Sequence, residues 1–452
     1  MLLNFHNCSF EGASTLSFFG FSILSAIFAF ALVIFVHELG HYLVGRWCGI
    51  KATVFSIGFG PKIFSVVDRN DTEWRLCFFP LGGYVKFLTS ENIGDEKTVS
   101  FDEKTRDNFF YNGFFEEAST LRRSLTVLAG PASNILMAVV IFSFVSVMTG
   151  VVSNEPVIGK VADRPNVEDS LIVGDRILAI DGNSVDYFSE IFKMASNVDP
   201  TKKSRFTIKR DGEVVELLVP YIFQPIVLNV ELFSPALRAG IKKGDVFIKV
   251  NDVPILSFEE LRDIIFSSGG MPVSVKYWRE GEIYDTVISP ELRPTEMPNG
   301  DIGEVMRIGV RGGPAIYPGL ETPSLFKATS NGVSMTFYVI KSSVIGLLRI
   351  IDNTISPKHL SGPVGVAQAL SHTASEGILP FLSLLAAISA GIGLINLFPI
   401  PVLDGGHLVL FLYETIFGTQ PSETFQRYLM SVGIAFLIVV MVFATINDIL
   451  RW

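Results

Sequence analysis

The sequence predicts a polytopic α-helical membrane protein with four transmembrane helices. A β-hairpin loop is expected between the first two, and two repeated α+β modules on the far side of the membrane. Three observations carry that expectation. The 452-residue chain is 49% hydrophobic and only 18% charged, where soluble domains average about 25% charged residues. Its apolar residues are blocked: Gly12 to His37, Ser124 to Asn154, Gly377 to Leu403 and Tyr428 to Asn447 contain no Asp, Glu, Lys or Arg. Each block reaches the roughly 20 residues a helix needs to cross about 30 Å of hydrocarbon. A charged, self-similar segment separates the second block from the third. One such block could be a buried soluble helix; four in one chain count against it. The 38 Phe and the low charge exclude intrinsic disorder.

The first block is read as a retained helix. No Lys or Arg precedes Arg46 and no small-residue cleavage pattern follows the block, so the marks of a signal peptide are missing. Arg46 and Lys51 follow it, and Arg122 and Arg123 precede the second block. Positive residues mark the cytoplasmic side. The N-terminus is then outside, residues 153 to 376 are outside, and four crossings return the C-terminus to the outside.

Between the first two blocks, Phe55 to Pro61 (F-S-I-G-F-G-P) and Trp74 to Phe87 (W-R-L-C-F-F-P-L-G-G-Y-V-K-F) are β-prone runs broken by Gly and Pro, the pattern of hairpin strands. They are aromatic for a cytosolic hairpin. Two readings stay open: a sheet dipping into the membrane, tolerated only where protein or water satisfies its backbone, and a small cytoplasmic β-domain.

In the outer segment, V-G-D-R-I-L-A-I-D-G-N-S-V at Val173 to Val185 recurs as K-G-D-V-F-I-K-V-N-D-V-P-I at Lys243 to Ile255. Lys209-Arg210-Asp211-Gly212-Glu213 recurs as Trp278-Arg279-Glu280-Gly281-Glu282. Each copy has alternating strands followed by a short helix, at Tyr187 to Ser196 and Phe258 to Ser267. The second copy departs from the first at Asn251-Asp252. The repeat resembles PDZ domains of the bacterial protease-associated type, which bind extended peptides by strand addition; a ligand-free β-spacer is the other reading. From Ser324 to Ile351 the chain is apolar but interrupted by Lys327, Lys341 and Arg349. A lysine in mid-bilayer costs about 2.5–3.5 kcal/mol, so an amphipathic helix in the outer interface is expected.

The chemistry sits at the end of the first block, in His37-Glu38-Leu39-Gly40-His41. Residues four apart share a helix face, so His37 and His41 can present ring nitrogens to one Zn²⁺, with Glu38 beside them as a general base. Two histidines and a glutamate at the edge of a bilayer are costly unless paired or metallated. A third ligand must come from another membrane segment. Asp404 is the only acidic residue between Glu376 and Glu414. It follows the third block, which runs outside to inside and so emerges level with the histidines. His407 is the rival ligand.

H-E-L-G-H on the first helix, with Asn396-Leu397-Phe398-Pro399-Ile400-Pro401-Val402-Leu403-Asp404-Gly405 on a later one, resembles the site-2 protease family of intramembrane zinc metalloproteases. The tandem modules resemble its RseP type, the regulators of sigma-E in Gram-negative bacteria. Gly130-Pro131-Ala132-Ser133-Asn134 fits the family's G-x-x-x-N motif. The resemblance implies Zn²⁺ on His37, His41 and Asp404, Glu38 as general base, and Asn396 engaging the substrate. It also implies a membrane-reentrant β-loop whose Gly82, Gly83 and Tyr84 contact the substrate. Expected substrates are single-span proteins already trimmed outside, of the anti-sigma-factor type, and remnant signal peptides. Peptide ligands are expected at the PDZ domains, and the setting is the bacterial inner membrane with the modules periplasmic.

The implied organisation is a protease core at 1–152 and 377–452, PDZ domains at 153–222 and 223–310, and a linker with the interfacial helix at 311–376. The residues before the first helix carry no functional reading. A membrane-anchored PDZ adaptor with a structural zinc is the alternative, and a zinc transporter a weaker one. The net charge of −9 argues against nucleic acid as a partner. Cys8, Cys48 and Cys77 show no C-x-x-C spacing and give no disulfide framework.

Overall fold

In a computed structural model of the protein, residues 8–89, 113–165, 171–297 and 301–450 are described, the side chains of the first helix from Leu24 onward. Met1 to Asn7, the expected N-terminal extension, lie outside the described residues, and His6 with them. The chain divides into two compact units. One gathers the chain up to Met148, Ser324–Val344 and the chain from Lys358 on; the other holds Thr149–Pro323 and Ile345–Pro357.

The first unit is built on helices α1 (Cys8–Trp47), α2 (Thr120–Thr149), α3 (Leu325–Ile351), α4 (Pro363–Glu376), α5 (Ile378–Asn396), α6 (Asp404–Phe417) and α7 (Glu423–Leu450). Among the described residues five are long and apolar enough to cross a membrane: Leu24–Trp47 of α1, then α2, α3, α5 and α7. That is one more than the four charge-free blocks, the addition being α3. α1 stops where Gly49 takes a φ of 80°. The Ile50 N–H bonds the Gly45 carbonyl and the Gly49 N–H that of Arg46, a left-handed C-terminal cap that needs a glycine. Small residues let α1 and α2 approach: a Cβ on Gly40 would lie 2.4 Å from the Ala129 carbonyl. α5 closes on α2 the same way, with Ser389 Oγ donating to the Asn134 carbonyl at 2.9 Å. α3 meets the C-terminal half of α2 through buried Ala328, Gly332 and Thr336, and Asn331 donates to Ser146 at 3.1 Å. The buried Asp448 of α7 accepts from the Gly362 and Gly365 N–H groups at 2.9 and 2.7 Å, satisfying donors that the start of α4 leaves free.

Between α1 and α2, β1 (Ala52–Val67) and β2 (Glu73–Phe87) fold into four strand segments. Residues 52–57 lie between 73–76 and 83–87, and 62–67 pair outside 73–77. The inner end is held by Phe55, fully buried, stacked on Trp74 at 4.3 Å and edge-on to Tyr42. Burial of one such ring is worth about 1.5–3 kcal/mol. The outer end keeps Phe59, Ile63, Phe64, Val67, Phe78 and Phe79 exposed.

In the second unit the sequence repeat becomes two copies of one motif. The first sheet orders Asn183–Ser184, Arg176–Ile180, Ser204–Arg210 and Glu213–Val219; the second orders Glu282–Ile288, Val273–Arg279, Val246–Val250, Ile226–Val230 and Val310–Gly313. The G-D pair recurs because its aspartate is the buried anchor of each copy. Asp175 takes Arg210 at 2.7 Å and the Ile172 N–H; Asp245 takes Arg279 at 2.7 Å and the Lys242 N–H. The departure at Asn251-Asp252 keeps the turn: both take positive φ, as Asp181-Gly182 do, and Asn and Asp tolerate that region. Ile316–Pro318 and Leu320–Glu321, in the stretch read as linker, pair back onto Ile158–Val161 and Val151–Val152.

Candidate active site

His37 and His41 lie on successive turns of α1, and Asp404 is the first residue of α6. Their ligand atoms converge within 4.8 Å. His37 Nε2 and His41 Nε2 are each other's neighbours at 3.2 Å, and Asp404 Oδ2 is 3.2 Å from the first and 3.5 Å from the second. A tetrahedral zinc with bonds of about 2.0–2.1 Å holds its ligand atoms about 3.3–3.4 Å apart. The three separations bracket that edge. Asp404 Oδ2 is buried and makes no well-formed hydrogen bond among the described residues, an arrangement that burial penalises unless a cation supplies the contact. The donor set thus fits zinc. His407, the rival, is not in the cluster.

Local sequence explains the convergence. Gly130 of α2 sits under both rings: a Cβ there would be 2.3 Å from His41 Nε2 and 2.9 Å from His37 Cε1. After α5 the Pro-rich turn folds tightly onto the start of α6. A Cβ on Gly405 would strike the Phe398 carbonyl at 2.2 Å, and one on Gly406 the Ile400 carbonyl at 2.3 Å. The two glycines after Asp404 are what let that turn aim the carboxylate back at α1.

The outer contacts were not legible beforehand. His41 Nδ1 is 2.9 Å from the Thr126 carbonyl, and the Asn134 amide is 3.3 Å from His37 Nδ1. Thr126, Gly130 and Asn134 recur every four residues along α2, one face that the sequence does display. Arg123, one turn earlier, is buried and donates to Glu414 of α6 at 2.6 Å and to the Ala118 carbonyl, its guanidinium over the Phe411 ring. α6 is thereby clamped to α2 at the end away from Asp404.

Glu38 lies against the hairpin: a Cβ on Gly83 would be 3.2 Å from Glu38 Cγ and 2.8 Å from the Ser56 carbonyl. Residues 83–87 pair only with 52–57, so their other edge has no strand partner among the described residues. Gly82, at φ 123°, is covered by the Phe59 ring, and Tyr84 stacks on that ring at 6.1 Å. Asn396 is half-buried in the last turn of α5 and has no side-chain hydrogen bond among the described residues.

A sequence profile of peptidase family M50 matches residues 25–440. The chain belongs to peptidase family M50. A protein of Bartonella henselae, named as a zinc metalloprotease, is 31% identical over 430 residues, 93% of this chain and 99% of its own length. A like-named protein of Agrobacterium fabrum is 30% identical, covering 94% and 95%. One from Neisseria meningitidis is 30% identical, covering 95% and 99%. The PDZ domain of an SdrC-like protein from Listeria monocytogenes overlays on 21% of the chain and 93% of that domain, at 21% identity and a TM-score of 0.17. This M50 member is accordingly a zinc metalloprotease with several membrane-helix candidates.

Proposed function

We propose that this M50 member is an intramembrane protease of the site-2, sigma-E-regulating type, cutting single-span proteins within their membrane segments. The reading is carried by one observation: ligand atoms from two apolar segments far apart in sequence stand at tetrahedral spacing. His37, His41 and Asp404 would hold zinc, which when bound polarises a scissile carbonyl and acidifies water. A metal held by the two Nε2 atoms would leave the His41 proton on Nδ1, where the Thr126 carbonyl accepts it at 2.9 Å, and the Asn134 amide stands 3.3 Å from His37 Nδ1 to orient that ring. Glu38 takes a proton from the attacking water and returns it to the leaving amine.

A helical substrate hides its carbonyls, so it must unwind before it is cut. The edge of 83–87 beside Glu38, which carries no second strand among the described residues, suits an extended segment added as a further strand, and the unengaged Asn396 amide suits its backbone. The exposed aromatics of the hairpin's outer end exceed what a watery surface tolerates, which favours the reentrant reading over a cytoplasmic β-domain.

Four crossings fit this geometry. With Asp404 beside His37, an even number of crossings must separate them, and α2 and α5 supply two. α3 then does not complete a crossing, in keeping with an interfacial helix. α4, with 14 residues, is about 21 Å long and too short. Arg46, Lys51, Arg122 and Arg123 put the metal end of α1 toward the cytoplasm and the modules in the periplasm of a bacterial inner membrane. There the paired PDZ-like modules would hold back substrates with large outer domains and pass trimmed ones, of the anti-sigma-factor or remnant-signal-peptide kind. The adaptor alternative is disfavoured because a structural zinc takes four protein ligands and three converge here among the described residues.

Glu38→Gln tests the proposal with a reporter transmembrane peptide. Zinc should stay bound at one equivalent while cleavage falls by at least a hundredfold; cleavage at the wild-type rate would refute Glu38 as the base.

A further inference from the structure

Within the second unit, a cavity of about 980 Å³ opens between the repeated modules. Its walls come from the Ile158–Val161 and Ile226–Val230 strands, the Lys242–Gly244 turn and the Trp278–Glu280 turn. Neither module helix lines it, so it is not the strand-and-helix groove in which peptides are expected, and it holds none of the candidate zinc ligands.

Arg164 lines this cavity. It is 8% exposed, and its Nε, Nη1 and Nη2 atoms are all without a hydrogen-bond partner among the described residues. Buried guanidinium groups are normally paired, and the rest of this unit obeys that rule: Arg210 and Arg279 each grip a buried aspartate through two nitrogens. Burial with nothing opposite works against the Arg164 charge. A cation held this way is stabilised when an anion arrives from outside the chain.

The surroundings narrow the ligand. Val161, Ile226, Leu228 and Trp278 give apolar walls; Lys160, Lys242 and Lys243 stand at the exposed rim with Asp163 and Glu280. A bare inorganic ion would leave those walls in contact with water. The planar fork of a guanidinium matches a carboxylate with two parallel hydrogen bonds, and the volume is that of a site for a small organic ligand. We propose that this cavity binds a carboxylate head carried on an apolar body, with Arg164 as the residue that holds the head. The chemistry is shared by the free C-terminus of an apolar peptide and by a medium-chain fatty acid.

The test uses the purified full-length protein in a neutral detergent. Probes are a fluorescent apolar hexapeptide with a free C-terminus, its C-terminal amide, and decanoate as competitor. The free-acid peptide should bind, the amide at least tenfold more weakly, or decanoate should bind in its place; which of the two binds names the source. Arg164→Met should weaken the successful probe at least tenfold. Leu228→Trp, which fills the cavity and leaves Arg164 intact, should weaken it as well. Arg164→Met should also unfold at an equal or higher temperature, since it removes an uncompensated buried charge. Absence of binding by every carboxylate probe overturns the proposal. So does wild-type binding by Arg164→Met. A lowered unfolding temperature in that variant overturns it too, because Arg164 would then be satisfied within the chain.

Discussion

Replacing Gly130 by Ala separates the metal centre from the fold that carries it. The new methyl carbon would sit 2.3 Å from His41 Nε2 and 2.4 Å from His41 Cε1, where ordinary contact begins near 3.4 Å. The obstructing atoms are the end of a side chain, not backbone, so the ring gives way by about 1 Å. Metal–ligand distances tolerate about 0.2 Å, so His41 leaves the ligand set, and misplacement of this size costs on the order of a hundredfold in rate. The helix itself responds with the opposite sign, because alanine removes a glycine penalty of up to about 1 kcal/mol. Zinc affinity, measured by chelator competition, should fall at least a hundredfold, with reporter cleavage falling alongside. The unfolding temperature of the metal-free protein should hold or rise. Gly391→Ala in α5, where a Cβ meets nothing within 4 Å, should leave both readouts unchanged. Wild-type zinc affinity in Gly130→Ala would refute the arrangement of rings over α2.

The partners of the rings yield further outcomes. Asn134→Leu removes the group facing His37 Nδ1 and should lower zinc affinity about 10–100-fold, the usual effect of losing an outer-shell partner, as read by chelator competition. Arg123→Met leaves the half-buried Glu414 without its cation. It should reduce cleavage by loosening α6, and Arg123→Met with Glu414→Met should recover part of the loss. Asp448→Ala strips the start of α4 of its acceptor and should cost about 0.5–2 kcal/mol, read as a lower unfolding temperature with zinc content unchanged. Asp175→Asn or Asp245→Asn removes the charge of one buried aspartate from its half-buried arginine and should cost about 1.5–3 kcal/mol; hydrogen exchange should locate the loss in the affected module and spare its twin.

The parts of the site legible in the sequence were those where a side chain carries the chemistry. Two histidines four apart on an apolar run fix their own relation, because a helix has one geometry. Asp404 could be matched to them because a lone carboxylate after a charge-free run needs a counter-ion. The repeat was legible for the same reason: its G-D and R-x-G positions are the two ends of one buried ion pair, so they recur together. What stayed hidden was set by backbone and by absence. The Thr126 carbonyl that takes the His41 proton has no side-chain signature. Gly130 and Gly405 matter for the Cβ they lack, and a sequence does not say what stands within 3 Å of an absent atom. α3 shows the limit from the other side. Its length and mean hydropathy admit a crossing, while Lys341 near its middle counts against one; under the proposed topology the meeting of His37 with Asp404, two segments whose separation must contain an even number of crossings, argues the same way as the lysine.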